Sequence, residues 1–447
     1  MNRVFIKTYG CQMNERDSEA VAFKLKARGY EIVLDEAIAD VVLLNTCSVR
    51  DQAEQKAIGK AGHLAHRKKK NQKFIFGVMG CMAQNRGEEL FDILPDLDLV
   101  VGTQKFHRIP EYLDKITGST EPKTTNIIDL EDEEFSQEEI RDHLDTSQNK
   151  VTAFVSIMQG CNMNCTFCIV PKTRGKERYR SIASITKEVQ ELVDRGVREV
   201  TLLGQIVNAY GRGSLPRIDN KTPFVQLLEK LNEIEGLYRI RFTSPHPTSF
   251  GDDLIECFAR LPKLCEHAHL PMQSGSDRIL KLMNRPYTRK KFLAITKKLR
   301  NAHSKMRIST DVILGFPGES DDDYALTKSA FIEATFEMAY IFKYSERSGT
   351  PAVELSDSVP KEVKEMRNQD LLSQLEKQSY TSNSSSVGKR YEVLVEGKAK
   401  RGKGMLIGRT RCNRRVVFEG NQALAGELLD IEIKDVSVTT LIGTHKP

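Results

Sequence analysis

A chain of 447 residues, 39% hydrophobic and 29% charged, has room for roughly three domains. No apolar run reaches the roughly 18 residues of a membrane span, and the opening Met1-Asn2-Arg3-Val4 reads as a strand start, too soon charged for a signal peptide. Nine cysteines without a secretion signal fit the reducing cytoplasm, where thiols more often bind metals than pair as disulfides. The net charge of +6 is modest, but residues 388–447 hold 12 Lys and Arg against 7 Asp and Glu, so positive charge gathers in the last domain.

Residues 2–120 alternate strands with helices. Strands are expected at 4–9, 41–45, 74–79 and 97–101, and helices at 18–28, 49–67 and 86–94, with Gly29 and Pro95 as stops. This βα alternation predicts a parallel sheet covered on both faces. Cys11, Cys47 and Cys81 each follow one of those strands closely. The C-terminal ends of parallel strands share one sheet edge, so the three thiols should converge despite spacings of 36 and 34 residues. Gly10 and Gly80 directly precede two of them and let the backbone turn closely around a bulky group. A three-thiolate metal site is the sharper reading; three unrelated core cysteines are the plainer one. Residues 121–146, with an acidic run at 129–134, read as a solvated linker or a charged helix face.

Residues 147–380 resume the alternation. A strand at 151–158 runs into Cys161, Cys165 and Cys168, spaced CxxxCxxC. Such a trio can hold three irons of a four-iron, four-sulfur cube and leave the fourth iron open. A zinc knuckle would want a fourth nearby ligand, yet the next candidates are His246 and Cys257, and buried thiols without a metal also remain open. Further strands at 198–203, 238–242, 266–270, 306–314 and 338–344, with helices such as 182–195 and 223–234, predict a partial (β/α)6 barrel with its chemistry at the C-terminal mouth. Gln205, Ser244 and Gln273 lie just past strands and are candidates to hydrogen-bond a cofactor, or simply to cap loops. Ile313-Leu314-Gly315 suits packing on a flat ring or an ordinary core strand. Arg174 and Arg178 suit a carboxylate or phosphate. His246, His267 and His269 read as local hydrogen-bonding groups, and Cys257, Cys265 and Cys412 as structural thiols.

The Ser/Asn-rich stretch 382–387 reads as a hinge. Short strands at 390–395, 405–409, 416–418 and 428–436 predict a small β-barrel over 382–445. Arg401, Lys403, Arg409, Arg411, Arg414 and Arg415 give it a basic middle suited to an RNA backbone.

Together these residues resemble the radical S-adenosylmethionine methylthiotransferases over essentially the whole chain. Tyr9-Gly10-Cys11-Gln12-Met13-Asn14, Asn45-Thr46-Cys47-Ser48-Val49-Arg50 and Met79-Gly80-Cys81 are similar to the cysteine motifs of that family's N-terminal domain. Gln159-Gly160-Cys161 through Cys168, continuing into Pro171-Lys172-Thr173-Arg174-Gly175-Lys176-Glu177-Arg178, resembles its radical motif, and the last domain resembles its TRAM module. The resemblance implies two [4Fe-4S] clusters, an auxiliary one on Cys11, Cys47 and Cys81 and one on Cys161, Cys165 and Cys168 that binds S-adenosylmethionine; the six cysteines would be catalytic through them. It further implies methylthiolation of carbon 2 of an isopentenylated adenosine in a tRNA anticodon stem-loop. A low-potential flavodoxin- or ferredoxin-type electron donor and a monomeric, cytoplasmic enzyme belong to the same expectation. Rivals are a threonylcarbamoyl-adenosine substrate, or a non-catalytic iron–sulfur electron carrier with an RNA-binding tail. The chain departs from the family pattern at Ile206, where asparagine is common, at Glu346 and Ser348, where prolines are common, and at Cys412, where a polar residue is expected.

Overall fold

The computed structural model describes residues 2–48, 51–118, 126–131, 150–355, 359–402 and 404–445. The chain divides into two compact units, one of residues 1–148, 158–163 and 168–180, the other of residues 149–157, 164–167 and 181–447.

The first unit is built on β1 (Arg3–Tyr9), β2 (Glu31–Ile32), β3 (Val41–Thr46), β4 (Ile75–Gly80), β5 (Leu99–Val101) and β6 (Ile127–Asp129). They form one sheet in the order β2-β1-β3-β4-β5-β6 with every neighbouring pair parallel. The central strands β3 and β4 are buried along their whole length, as strands covered on both faces must be. Alternate residues feed two cores. Val41, Leu43, Ile75 and Met79 pack with Val21 and Leu25 of helix Gln12–Ala27 and Leu113 of helix Ile109–Gly118. Val42, Leu44, Phe76 and Val78 pack with Ala57, Ala61 and Leu64 of helix Asp51–Lys70. Each large apolar side chain so enclosed contributes about 1.5–3 kcal/mol.

The expected α/β architecture is found, with one addition. β6 falls inside the segment expected to be a solvated linker. Its register with β5 places Ile127 against one core and Ile128 against the other, so two apolar residues in an acidic stretch suffice to recruit an edge strand. The rest of that segment, 121–125 and 132–146, lies outside the described residues, as do Val49 and Arg50.

The chain next gives β7 (Thr152–Ser156) to the second unit and the antiparallel pair β8 (Met158–Gln159) and β9 (Arg178–Tyr179) to the first, with residues 164–167 between them in the second, where the chain stays from residue 181. There β7, β10 (Glu199–Leu203) and β11 (Arg239–Phe242) form one parallel sheet, and β12 (His267–His269), β13 (Arg307–Leu314) and β14 (Met338–Lys343) another. A parallel bridge between Ile240 and Leu264 joins them into a single series, the expected partial (β/α)6 barrel. Ser181, Thr222, Thr288 and Ser320 cap the helices that follow, each accepting a backbone N–H three residues ahead.

β15 (Arg390–Lys398), β16 (Met405–Thr410), β17 (Arg415–Glu419), β18 (Leu428–Val436) and β19 (Leu441–His445) close a barrel around Val393, Leu406, Phe418, Ile431 and Ile433. The expected hinge is instead the end of helix Lys361–Ser384. Asn383 Nδ2 donates to Ser437 O and Val438 O, both at 3.0 Å, and Arg414 Nη2 donates to Ser382 Oγ at 2.9 Å. The Ser and Asn content thus serves hydrogen bonds to the barrel. Among the described residues no helix is long and apolar enough to cross a membrane.

Candidate metal centres and cofactor site

The sheet edge of the first unit brings Cys11, Cys47 and Cys81 together. Cys11 follows β1 and caps helix Gln12–Ala27, Cys47 follows β3, and Cys81 opens helix Cys81–Arg86 directly after β4. A Cβ on Gly10 would lie 2.7 Å from the Cys47 Cβ, so the first loop closes on the second cysteine only because residue 10 has no side chain. Gly80, at φ +97°, would press a Cβ to 2.8 Å from Thr46 O. Asn14 and Asn45 tie the loops: Asn14 Nδ2 donates to Asn45 Oδ1 at 3.0 Å, and Asn45 Nδ2 returns a bond to Asn14 O at 2.8 Å. Cys47 and Cys81 are 1% and 3% exposed, whereas Cys11 is half-buried.

The Cys11 thiol is pulled down to about 6 by its hydrogen bond with Cys47, with the charge of Arg174 adding, whereas burial pushes Cys81 up. Arg174 was expected to meet a carboxylate or RNA phosphate. It is buried and meets a carboxylate, that of Asp17 at 2.7 Å, and its positive charge favours the thiolate of Cys81. Its helix, Val170–Arg174, is anchored by Thr103 Oγ1 donating to Thr173 O at 2.6 Å. Arg178 donates to Gln104 Oε1 at 2.9 Å. Three soft sulfurs beside one buried cation form a donor set that fits the irons of a cluster. Among the described residues no three His, Cys, Asp or Glu side chains share the shell of a single metal ion; a cube instead takes one thiolate on each of three irons.

Cys161 and Cys168 belong to the first unit and Cys165 to the second. Cys161 N–H donates to Gly175 O at 3.1 Å, and Met163 N–H donates to Cys161 Sγ at 3.4 Å. Around Cys165 the loop is pinned on both sides: Asn284 Nδ2 donates to Asn164 O at 2.8 Å, and Thr166 Oγ1 to Leu282 O at 2.9 Å. Arg285 Nη1 donates to Cys165 Sγ at 3.2 Å. Its Nε donates to Tyr287 Oη at 3.1 Å, and that hydroxyl lies 3.1 Å from both Pro271 O and Met272 O. Arg285 and Tyr287 escape a sequence reading because they follow a helix rather than a strand end.

Of the cofactor candidates, Gln205 and Gln273 carry buried Oε1 atoms with no hydrogen-bond partner among the described residues. Ser244 and Gln273 hold φ of +58° and +62°, a strained setting for residues with side chains. Ser244 is exposed, and its carbonyl accepts from Val207 N–H at 3.2 Å. Ile206 is buried, and Asn208 ties this loop, donating to His246 O at 3.0 Å and accepting from His246 N–H at 2.8 Å. Burial drives His246 down to about 3, so it is neutral; its Nδ1 bonds Thr248 Oγ1 at 2.7 Å. Leu314 is core, and Ile313 packs beside Phe316. Glu346 and Ser348 are exposed, and their loop is held by Thr350 Oγ1 donating to Arg347 O at 2.8 Å. Cys257, Cys265 and Cys412 are buried free thiols, as expected of structural residues.

The basic barrel patch needs correction. Arg239 Nη1 donates to Arg409 O at 2.6 Å, and Arg241 Nη1 to Arg411 O at 2.8 Å, seating the barrel on β11. Arg411 binds Glu266 at 3.0 Å, Arg409 binds Glu396 at 2.9 Å, and Arg414 bonds Ser382 and Tyr391. These three arginines fasten the barrel, while Arg401 and Arg415 remain exposed. Lys403 lies outside the described residues.

Three family descriptions match in series: "Uncharacterized protein family UPF0004" over residues 3–102, "Radical SAM superfamily" over 155–329 and "TRAM domain" over 384–445. The solved radical S-adenosylmethionine methyltransferase TsrM from Kitasatospora setae has a similar fold, with a TM-score of 0.57 over 79% of this chain and 77% of that one at 12% identity. Curated proteins named tRNA-2-methylthio-N(6)-dimethylallyladenosine synthase are far nearer in sequence. That of Opitutus terrae is 54% identical over 99% of this chain and 97% of the relative, and that of Akkermansia muciniphila 49% over 100% and 99%. A Clostridium botulinum relative of the same name is 42% identical over 98% and 96%. The chain belongs to this family of radical S-adenosylmethionine enzymes.

Proposed function

We propose that this chain installs a methylthio group on carbon 2 of an N6-dimethylallyl adenosine next to the anticodon of tRNA. The observation that carries the reading is the pair of separate thiol trios, in a chain that aligns end to end with synthases of that name. Cys161, Cys165 and Cys168 would hold the [4Fe-4S] cluster that takes S-adenosylmethionine, and Cys11, Cys47 and Cys81 the auxiliary cluster. Bound there, the groups supply one-electron chemistry able to remove hydrogen from an unactivated C–H bond, and the sulfur of the product.

The chain's own residues do the rest. Arg285 holds the Cys165 sulfur through a charge-assisted bond, and Tyr287 fixes Arg285 against the backbone after β12. Gln205 and Gln273 offer Oε1 acceptors, unpartnered among the described residues, to the ribose or amino-acid end of the cofactor. Arg174 offsets thiolate charge at Cys81, and burial shields the Cys47 and Cys81 sulfurs from water. Residues 2–120, 147–380 and 382–445 would be the auxiliary, radical and RNA-binding domains, with Arg401 and Arg415 toward the RNA backbone. A low-potential flavodoxin- or ferredoxin-type donor, a cytoplasmic location and a monomeric state complete the proposal. Nucleoside analysis of tRNA from cells lacking the gene tests it: the 2-methylthio-N6-dimethylallyl product should vanish and return with the gene, and its persistence would refute the reading.

A further inference from the structure

The sheet β12-β13-β14 has two unlike faces. On one, Ala268, Ile308, Val312 and Leu314 are at most 1% exposed. On the other, register pairs His269 with Ser309, Asp311 with Tyr340, and Ile313 with Phe342. There Tyr340 is 46% and Phe342 37% exposed, and their rings stack at 6.5 Å between centroids with 13° between planes. Parallel sheets normally bury both faces. A parallel strand that leaves two large aromatics in the open, on the barrel's own sheet, marks a site awaiting a ligand.

The polar groups beside the rings narrow what that ligand is. His269 Nε2 contacts Asp311 Oδ2 at 3.2 Å, His269 Nδ1 contacts Ser309 Oγ at 2.9 Å, and Ser309 Oγ contacts His267 Nε2 at 3.1 Å. These contacts engage Asp311 through Oδ2 alone and leave Asp311 Oδ1 without a hydrogen-bond donor among the described residues. A carboxylate at the edge of the stack repels a phosphate and suits an N–H group on a flat ring. Stacked aromatics suit a nucleobase splayed out of its strand. Just past β12 of this sheet, the carbonyls of Pro271 and Met272 are joined through Tyr287 and Arg285 to the Cys165 sulfur by successive hydrogen bonds.

We propose that Tyr340, Phe342 and Asp311 form the base subsite, the two rings stacking on a purine that carries an unsaturated N6 substituent and Asp311 accepting its N6–H. This rests on the function proposed above. The test uses the full chain, reconstituted anaerobically with iron, sulfide and S-adenosylmethionine, and two fluorescent anticodon stem-loop RNAs with either N6-dimethylallyl adenosine or plain adenosine at the target position. The native protein should bind the alkenylated RNA more tightly. The double variant Tyr340→Ala/Phe342→Ala should lose about 5- to 100-fold in affinity for that RNA and most of its preference over the plain one. Tyr340→Phe should keep both. Iron content and thermal unfolding should match the native protein in both variants. A double variant that keeps its iron and its preference overturns the subsite while leaving the proposed function standing. A double variant that loses iron or unfolds early shows a structural role and also overturns it. A native protein that treats both RNAs alike and forms no methylthio product removes the function first, and the subsite with it.

Discussion

The two thiol trios are assembled by opposite means. Cys11, Cys47 and Cys81 lie far apart in the chain and meet because parallel strands end along one edge, with Gly10 and Gly80 permitting the close approach. Cys161, Cys165 and Cys168 sit in one short loop, and bonds from residues 282–285 pin its middle cysteine. The first trio therefore depends on the packing of a whole sheet, the second on a few hydrogen bonds. Each has one arginine against a thiol: Arg174 at Cys81, charge-balanced by Asp17, and Arg285 at Cys165, held by a tyrosine hydroxyl.

The largest expected effects separate the trios outright. Cys165→Ala should abolish cleavage of S-adenosylmethionine and leave about four irons per chain. Cys47→Ala should leave a similar iron count and keep part of the cofactor cleavage while eliminating methylthiolated product. Iron analysis and chromatography of 5′-deoxyadenosine and nucleosides check both, and identical losses from the two variants would erase the proposed division of labour. The arginines come next. Arg285→Gln should cut cofactor cleavage about 10- to 100-fold, as loss of a group supporting a metal ligand commonly does. Arg174→Gln removes the cation that Asp17 meets in the interior and should cost the apoprotein up to about 3–5 kcal/mol, read by denaturant unfolding, with Arg174→Lys recovering part. Gly80→Ala tests the sheet itself. Its positive φ and the crowding from Thr46 predict a loss of about 1–3 kcal/mol, together with weaker iron uptake at the auxiliary trio alone.

Much of this was legible in the sequence because apolar runs and strand-end cysteines are local patterns. The α/β alternation, the six core strands and the convergence of Cys11, Cys47 and Cys81 follow from periodicity plus the rule that parallel strands share a C-terminal edge. What escaped depends on tertiary context. β6 hides in an acidic run because an edge strand needs only Ile127 and Ile128 to join two cores. The end of helix Lys361–Ser384 reads as a hinge because Ser and Asn signal loops unless a neighbouring barrel accepts their hydrogen bonds. Arg285 and the exposed pair Tyr340 and Phe342 carry no local signature, since a thiol partner and an uncovered sheet face are properties of the assembled barrel.

The smallest effect concerns the basic barrel, where charge alone misassigns half the patch. Arg411 binds Glu266 and the Leu264 carbonyl, so Arg411→Ala should loosen the barrel from the core and lower the unfolding temperature. Arg415 stands exposed on β17, so its removal should leave folding unchanged. Binding of a tRNA anticodon stem-loop to Arg415→Ala, measured across a salt series, should weaken a few-fold and reduce the slope of log affinity against log salt by about 0.9, one phosphate contact. An unchanged slope would move the RNA path off β17, and Arg401 would then be the exposed arginine to test. If Arg411→Ala instead lowered the slope by that amount with no change in unfolding temperature, the docking role drawn from Glu266 would be wrong.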